Sequence, residues 1–278
     1  MKKSEVNGDL KTSASEELSS VIIHKTAIVH PEARLGRGVV VGPFSIIEKN
    51  VTIGDNCQIG SSCVIQGHTT IGKDCQLFTG TVIGSIPQDK KFNGNGAVYL
   101  YIGENNIFRE YVTVNPGTPE GGGKTVIGSN NLFMAYSHIA HDCVIGNNCV
   151  MANNGTLAGH VTLEDMAVVG GLTAVHQFVR LGRLSIVGGC SKVVQDIPPF
   201  SMCDGHPAKV FSLNSVGLKR SKLPPETLKS LRKAFKVLFH SGLSKTHALE
   251  IIEREIPPCP EIEHLIFFTK TSKRGLCS

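Results

Sequence analysis

Tryptophan is absent from the chain, and aromatic residues of any kind are scarce, at 6% of 278 positions. Without such anchors, and with 30 glycines, the composition fits a turn-rich repeat protein better than an ordinary α/β enzyme. No segment reaches the roughly 20 consecutive apolar residues needed to cross a bilayer, so no integral membrane segment is expected. The first twenty residues, MKKSEVNGDLKTSASEELSS, lack an apolar stretch and carry four acids. Neither a secretory signal nor a typical transit peptide has that make-up, and residues 1–20 read as a flexible N-terminal extension of a cytoplasmic protein. CxxC pairs are also missing among the nine cysteines. Cys57, Cys63 and Cys75 instead lie at multiples of six, as do Cys143 and Cys149, which indicates buried or turn thiols in a reducing compartment rather than disulfides or zinc. The net charge of +5 is too mild to argue for a nucleic-acid partner.

The six-residue interval runs far beyond the cysteines. From Ile23 an aliphatic residue recurs at Val29, Leu35, Val41 and onward to Leu77 and Ile83, a period that belongs neither to a helix nor to a simple strand. It is the sign of a parallel β-helix. The aliphatic residue fills the interior, and the glycine or small polar residue beside it permits the turn at each corner. Phase is lost from Gly84 to Tyr101, returns at Ile102, Phe108 and Val114, is lost again over NPGTPEGGGKT, and then holds from Ile127 to Val193. The three runs contain eleven, three and twelve hexads, about nine coils if three hexads close one coil. The two breaks read as inserted loops, which in solenoids project from one face and serve binding; Asp89, Lys90 and Lys91 are candidates on the first.

Beyond Phe211 the pattern turns helical. Pro224-Pro225-Glu226 opens a helix carrying Leu228, Leu231, Phe235, Leu238 and Phe239, Ser244 caps a second, and Pro257, Pro258 and Pro260 precede a third around Ile262 to Phe268. The expected organisation is a parallel β-helix over 21–211 and a small helical domain over 212–278. Between Gly217 and Lys245 eight basic residues face one acid, Glu226. Such a local excess calls for an acidic partner or a phosphate-bearing substrate.

The stretch Ser137 to Val161, SHIAHDCVIGNNCVMANNGTLAGHV, holds the candidate chemistry. Residues eighteen apart should stack on one face, as Ile139, Leu157 and Val175 do in this count. His141, His160 and His176 follow these by two, three and one, so three imidazoles are expected near one edge on coils about 4.8 Å apart. A neutral imidazole, with a pKa near 6.5, suits removal of a hydroxyl proton at neutral pH.

HIAHDC, LAGHV, TAVHQF and GLKR, in this order on a hexad repeat, resemble the UDP-N-acetylglucosamine acyltransferases that begin lipid A biosynthesis. The similarity runs from Ile23 to Leu276. It implies a left-handed parallel β-helix with a helical C-terminal domain, assembled as a homotrimer. It further implies transfer of a long β-hydroxyacyl chain from acyl carrier protein to the 3-position of UDP-N-acetylglucosamine or its 3-amino analogue, with no cofactor. By the same resemblance His141 is the general base, Asp142 orients it, and the Gly159 N–H stabilises the oxyanion. His138, His160, His176 and Gln177 would line the substrate groove, Asp89 and Lys91 would lie near the sugar and acyl chain, and Asn214 and Arg220 would contact the acyl or nucleotide portions. Gly189 falls at the acyl-length ruler. Asn115-Pro116 stands where many relatives carry His-Arg, which removes a charge and a backbone donor there.

Three other readings compete. The histidines could be surface residues of a rigid scaffold, or zinc ligands in a trimeric β-helix enzyme, or the chain could be a CoA-dependent sugar acetyltransferase. Acetyl transfer needs neither an acyl ruler nor a basic dock for a carrier protein.

Overall fold

The computed structural model describes residues 20–278; of the expected N-terminal extension, all but Ser20 lies outside the described residues. Twenty-six short strands, from Ile22–Ile23 to Lys192–Val193, wind into three parallel sheets, every third strand joining the same sheet. The register is the one counted from the hexads: Ile139 lies opposite Leu157, and Leu157 opposite Val175. The inserted loops lengthen single coils without shifting this register, since Ile71 pairs with Ile102 and Val114 with Ile139.

Burial explains why the sequence obeys a period of six. The last residue of each strand points into the prism, as Ile47, Ile65, Ile83, Ile139, Leu157 and Leu181 do, all essentially inaccessible. Phe108 and Phe133 take two successive inward positions and stack with ring centres 4.9 Å apart. Ile23 departs from the expectation: it is 45% exposed, and among the described residues the first coil has a neighbour on one side only. The recurring small residue has a second task. Ser45, Asn106 and Asn131 reach from that slot to carbonyls of Gly60, Gly128 and Gly146 in the next coil. Cys57 and Cys143 do the same with their thiols, toward Gly72 and Ala158. Burial pushes the Cys143 thiol up to about 12 and Cys149 to about 11, so these are protonated packing groups rather than nucleophiles.

The end of the coil differs from the expected division at 211. Ser201–Gly205 adds to the sheet of Ile186–Val187 and then turns back into an antiparallel strand, Ala208–Leu213, so residue 211 lies inside a strand. A short helix, Ser215–Arg220, follows. It has a single buried residue, Leu218, too little apolar surface to mark a helix in the sequence. Helices Pro225–His240, Lys245–Glu255 and Pro260–Lys270 come next, with Pro at the first position of two and the Ser244 hydroxyl capping the third by accepting from His247 N–H. Their core of Leu231, Ala234, Ile252, Leu265 and Phe268 takes in Leu184 and Phe200 from the coil. Arg180 ties the two parts, donating to the Phe268 carbonyl at 2.8 Å while lying 4.2 Å over its ring. The helices thus cover one end of a solenoid that would otherwise expose its core. Among the described residues no helix is long and apolar enough to cross a membrane.

Candidate active site

The third residue after most inward positions turns the corner with positive φ. On three successive coils these are Asp142 (φ 59°), His160 (φ 62°) and Phe178 (φ 65°). Asp and His visit this region more readily than other side chains, whereas Phe bears a cost of about 1–2 kcal/mol. A carboxylate, an imidazole and a phenyl ring are therefore stacked along one edge, with the His160 and Phe178 rings 4.4 Å apart and nearly parallel.

Asp142 is held from several sides. Its side chain is 1% exposed. Thr118 N–H donates to Oδ1 at 2.9 Å, the Thr118 hydroxyl donates to Oδ2 at 2.6 Å, and His141 Nδ1 lies 2.8 Å from Oδ2. With an ionised carboxylate as acceptor, Nδ1 carries the proton and the lone pair falls on Nε2. The backbone of Gly159 closes against this ring: a Cβ there would stand 2.7 Å from Nε2 and 2.5 Å from Cε1. Only glycine lets the next coil approach so closely. Among the described residues the Gly159 N–H has no acceptor.

The other predicted residues divide into two groups. The His160 ring meets that of His141 edge-on at 5.3 Å, with Nε2 3.8 Å from Asp142. Burial lowers the pKa of His160, against the upward pull of Asp142 and of Asp89, whose charge reaches it from the first inserted loop. His138 bonds to the Thr113 hydroxyl at 2.7 Å, and its pKa is lowered by burial and then by His141. Lys91 donates its backbone N–H to Asp89 at 3.0 Å, and its side chain is exposed.

Among the described residues no ring contact joins His176 to His141 or His160; its Nδ1 bonds to the Gln177 carbonyl, and both residues are exposed. His176, one residue after its inward position, precedes the corner that Asp142, His160 and Phe178 turn. Gly189 follows Val187 on a different sheet from Ile139 and is exposed at another corner. Asn214 is buried, capping helix Ser215–Arg220 through Gly217 N–H and donating to the Leu184 carbonyl at 2.9 Å. Arg220 is exposed at the end of that helix. Of the basic cluster, Lys245 bonds to the Leu276 carbonyl. Lys229, Arg232, Lys233 and Lys236 form an exposed stripe on helix Pro225–His240, with no ion pair among the described residues.

Two residues escaped the sequence reading. Thr118 lies in an inserted loop where no period operates. Asn115 is buried and donates to the Ser85 and Ile86 carbonyls, tying the first loop to the second; the Asn-Pro departure from His-Arg was visible, but its structural use was not. The donor atoms of His141, Asp142 and His160 lie within 4.8 Å of one another. Both carboxylate oxygens already accept protein hydrogen bonds, and Nδ1 of His141 faces one of them, so the set is a poor cage for a zinc ion.

Comparison with known proteins agrees with this fold. Residues 196–277 match the family described as UDP-N-acetylglucosamine O-acyltransferase, domain 2, and residues 50–85 and 124–159 match the bacterial transferase hexapeptide family. The acyl-[acyl-carrier-protein]–UDP-N-acetylglucosamine O-acyltransferase of Alkalilimnicola ehrlichii is 49% identical over 91% of this chain and 98% of its own length. The like-named protein of Thermodesulfovibrio yellowstonii is also 49% identical, over 92% and 98%. The solved UDP-N-acetylglucosamine acyltransferase of Bacteroides fragilis superposes with a TM-score of 0.90 at 38% identity, covering 92% of this chain and all of that one. The shared fold gives the coil its left hand, an exception to the usual crossover rule. On this identity and coverage, the chain belongs to the acyl-[acyl-carrier-protein]–UDP-N-acetylglucosamine O-acyltransferase family.

Proposed function

We propose that this protein transfers a β-hydroxyacyl chain from acyl carrier protein to the 3-hydroxyl of UDP-N-acetylglucosamine, the first step of lipid A biosynthesis. The observation that carries the mechanism is the His141 ring, fixed by Asp142 through Nδ1 and packed against Gly159 beside Nε2. Nε2 removes the proton of the sugar hydroxyl as its oxygen attacks the thioester carbonyl. Negative charge gathers on the carbonyl oxygen, where the Gly159 N–H is the available donor. Collapse breaks the carbon–sulfur bond, and the imidazolium returns its proton to the departing thiolate. The carboxylate of Asp142 stabilises the imidazolium during the intermediate.

Around this centre, His160 and His138 act as uncharged hydrogen-bonding groups, in keeping with their lowered pKa values. Asp89 and Lys91 reach toward the sugar from the first loop. The exposed stripe of Lys229, Arg232, Lys233 and Lys236 receives the acidic carrier protein, with Arg220 close by in sequence.

The working unit is a homotrimer with the groove between chains. Exposed apolar side chains on a second corner support this: Tyr111 and Tyr136 stack at 5.1 Å, and Leu172, one coil beyond the polar Asn154, is 64% exposed. Gly189 stands beside Leu172 on that second corner, its Cβ position 3.2 Å from the Gly171 carbonyl oxygen. Two separate corners can serve one acyl chain when they belong to neighbouring subunits.

The deciding assay offers long hydroxyacyl carrier protein or acetyl-CoA as donor and the 3-hydroxy or 3-amino sugar nucleotide as acceptor. Turnover with the carrier-bound donor and the hydroxy sugar is expected. Efficient acetyl-CoA turnover, or exclusive use of the amino sugar, would overturn the donor or the ester assignment respectively.

A further inference from the structure

The inserted loop over 115–123 does more than decorate the coil. Thr118 is 2% exposed and caps the 3-10 turn Pro119–Gly121, where its Oγ1 accepts the Gly121 N–H at 3.1 Å. With that lone pair engaged, the hydroxyl proton is directed to Asp142 Oδ2 at 2.6 Å, a length typical of a charge-assisted bond. Oδ2 is the same oxygen that accepts His141 Nδ1–H. The backbone N–H of Thr118 holds the other oxygen. Gly121 completes the seat, since a Cβ on it would run into the Asp142 carboxyl group.

A carboxylate rotates easily about its terminal torsion, and His141 takes its orientation from that carboxylate. We propose that Thr118 is a positioning residue of the acyl transfer: its N–H and hydroxyl lock the plane of Asp142, and through it the tautomer and direction of the His141 ring. The inference rests on the reading of His141 as the base. It extends the catalytic pair on the coil into a chain of three, whose outermost member is supplied by a loop.

The test compares Thr118→Val, which keeps the branched shape and the backbone N–H, with Thr118→Ser, which keeps the hydroxyl, and His141→Ala as reference. Each is assayed for kcat and KM with hydroxyacyl carrier protein and UDP-N-acetylglucosamine. Thr118→Val is expected to lower kcat about tenfold with both KM values essentially unchanged, and Thr118→Ser to stay near wild type. Wild-type kcat in Thr118→Val, or equal loss in Thr118→Ser, would overturn the role of the hydroxyl. If Thr118→Val does not fold, Thr118→Cys carries the test, since a thiol of similar size is a weak donor. Activity well below Thr118→Ser is expected, and activity equal to it would overturn the proposal. An active His141→Ala protein would overturn the base itself, whereas an inactive one beside a fully active Thr118→Val overturns Thr118 alone.

Discussion

The histidine corner of the coil and the basic stripe on helix Pro225–His240 place charge in opposite ways. At the corner, the Asp142 side chain is 1% exposed and both its oxygens are bonded. On the helix, Lys229, Arg232, Lys233 and Lys236 are exposed and form no ion pair among the described residues. A group that must hand over a proton in one geometry gains from preorganisation. Charges that attract a partner from a distance act best when left solvated and unneutralised. Substitutions at the two places should therefore fail differently, one in turnover and the other in encounter.

The largest effect is expected at the corner. His141→Ala removes the proposed base while the inward aliphatic register stays intact, so kcat should fall by on the order of a hundredfold or more with an unchanged melting profile. Normal turnover in the folded variant would remove the corner from the chemistry.

Gly189 sharpens the comparison because it shares neither the corner's hydrogen bonds nor the stripe's charge. Its φ is not in the left-handed region, and a Cβ there would stand 3.2 Å from the Gly171 carbonyl oxygen and 3.9 Å from the Gly171 amide nitrogen. Gly189→Met should fold and shorten the groove by a few methylenes, each worth about 0.8 kcal/mol, or roughly fourfold in preference. A competition between long and short hydroxyacyl donors reads the ratio, and an unchanged ratio would place the ruler elsewhere. With the proposed trimer and shared groove, mixed assemblies of Gly189→Met with His141→Ala chains should regain long-chain transfer, because some grooves then combine the proposed base with an open ruler. No recovery in verified hybrids would place both residues in a groove of one chain.

At the stripe, replacing Arg232, Lys233 and Lys236 by Glu should lower kcat/KM for the carrier protein by about tenfold while leaving KM for the sugar nucleotide alone. The loss should shrink as salt rises, since screening acts over about 8 Å at physiological ionic strength. Equal impairment of both substrates at every salt concentration would make the stripe part of the groove rather than a dock.

What could be read from the sequence followed the repeat. The inward positions, the stacking of Ile139, Leu157 and Val175 and the nearness of His141 to His160 all come from a fixed period. The bond of His176 to the Gln177 carbonyl is a detail that the period does not carry. Thr118 and Asn115 lie where the period is suspended, and nothing local announces that they bond to a carboxylate or to another loop. The hairpin over 201–213 did leave a sign: Gly205-His206-Pro207 separates two short runs that alternate in the manner of strands. Its nearness to the last hexad, at Val193, makes it hard to separate from the coil by sequence.

The smallest effect concerns stability, and it separates buried rings from solvated charge once more. Burial, and then His141, lower the pKa of His138 from its ordinary 6.5. Below that value the unfolded chain binds a proton that the folded ring resists, so stability is intact above about pH 6.5 and declines as pH falls toward the lower folded value. His160, lowered chiefly by burial, adds in the same direction. The slope from one such ring cannot exceed about 1.4 kcal/mol per pH unit. Denaturant melts between pH 7 and 5, above the range where most carboxylates titrate, should show this decline in the wild type. His138→Gln keeps a polar side chain beside Thr113 but has nothing to titrate, so its melts should show a shallower decline over the same window. Reversing Lys233 alone should leave the slope as it is, because a solvated charge at the stripe has no ring to keep neutral. Parallel curves for wild type and His138→Gln would mean that the ring is hydrated enough to protonate in the folded protein.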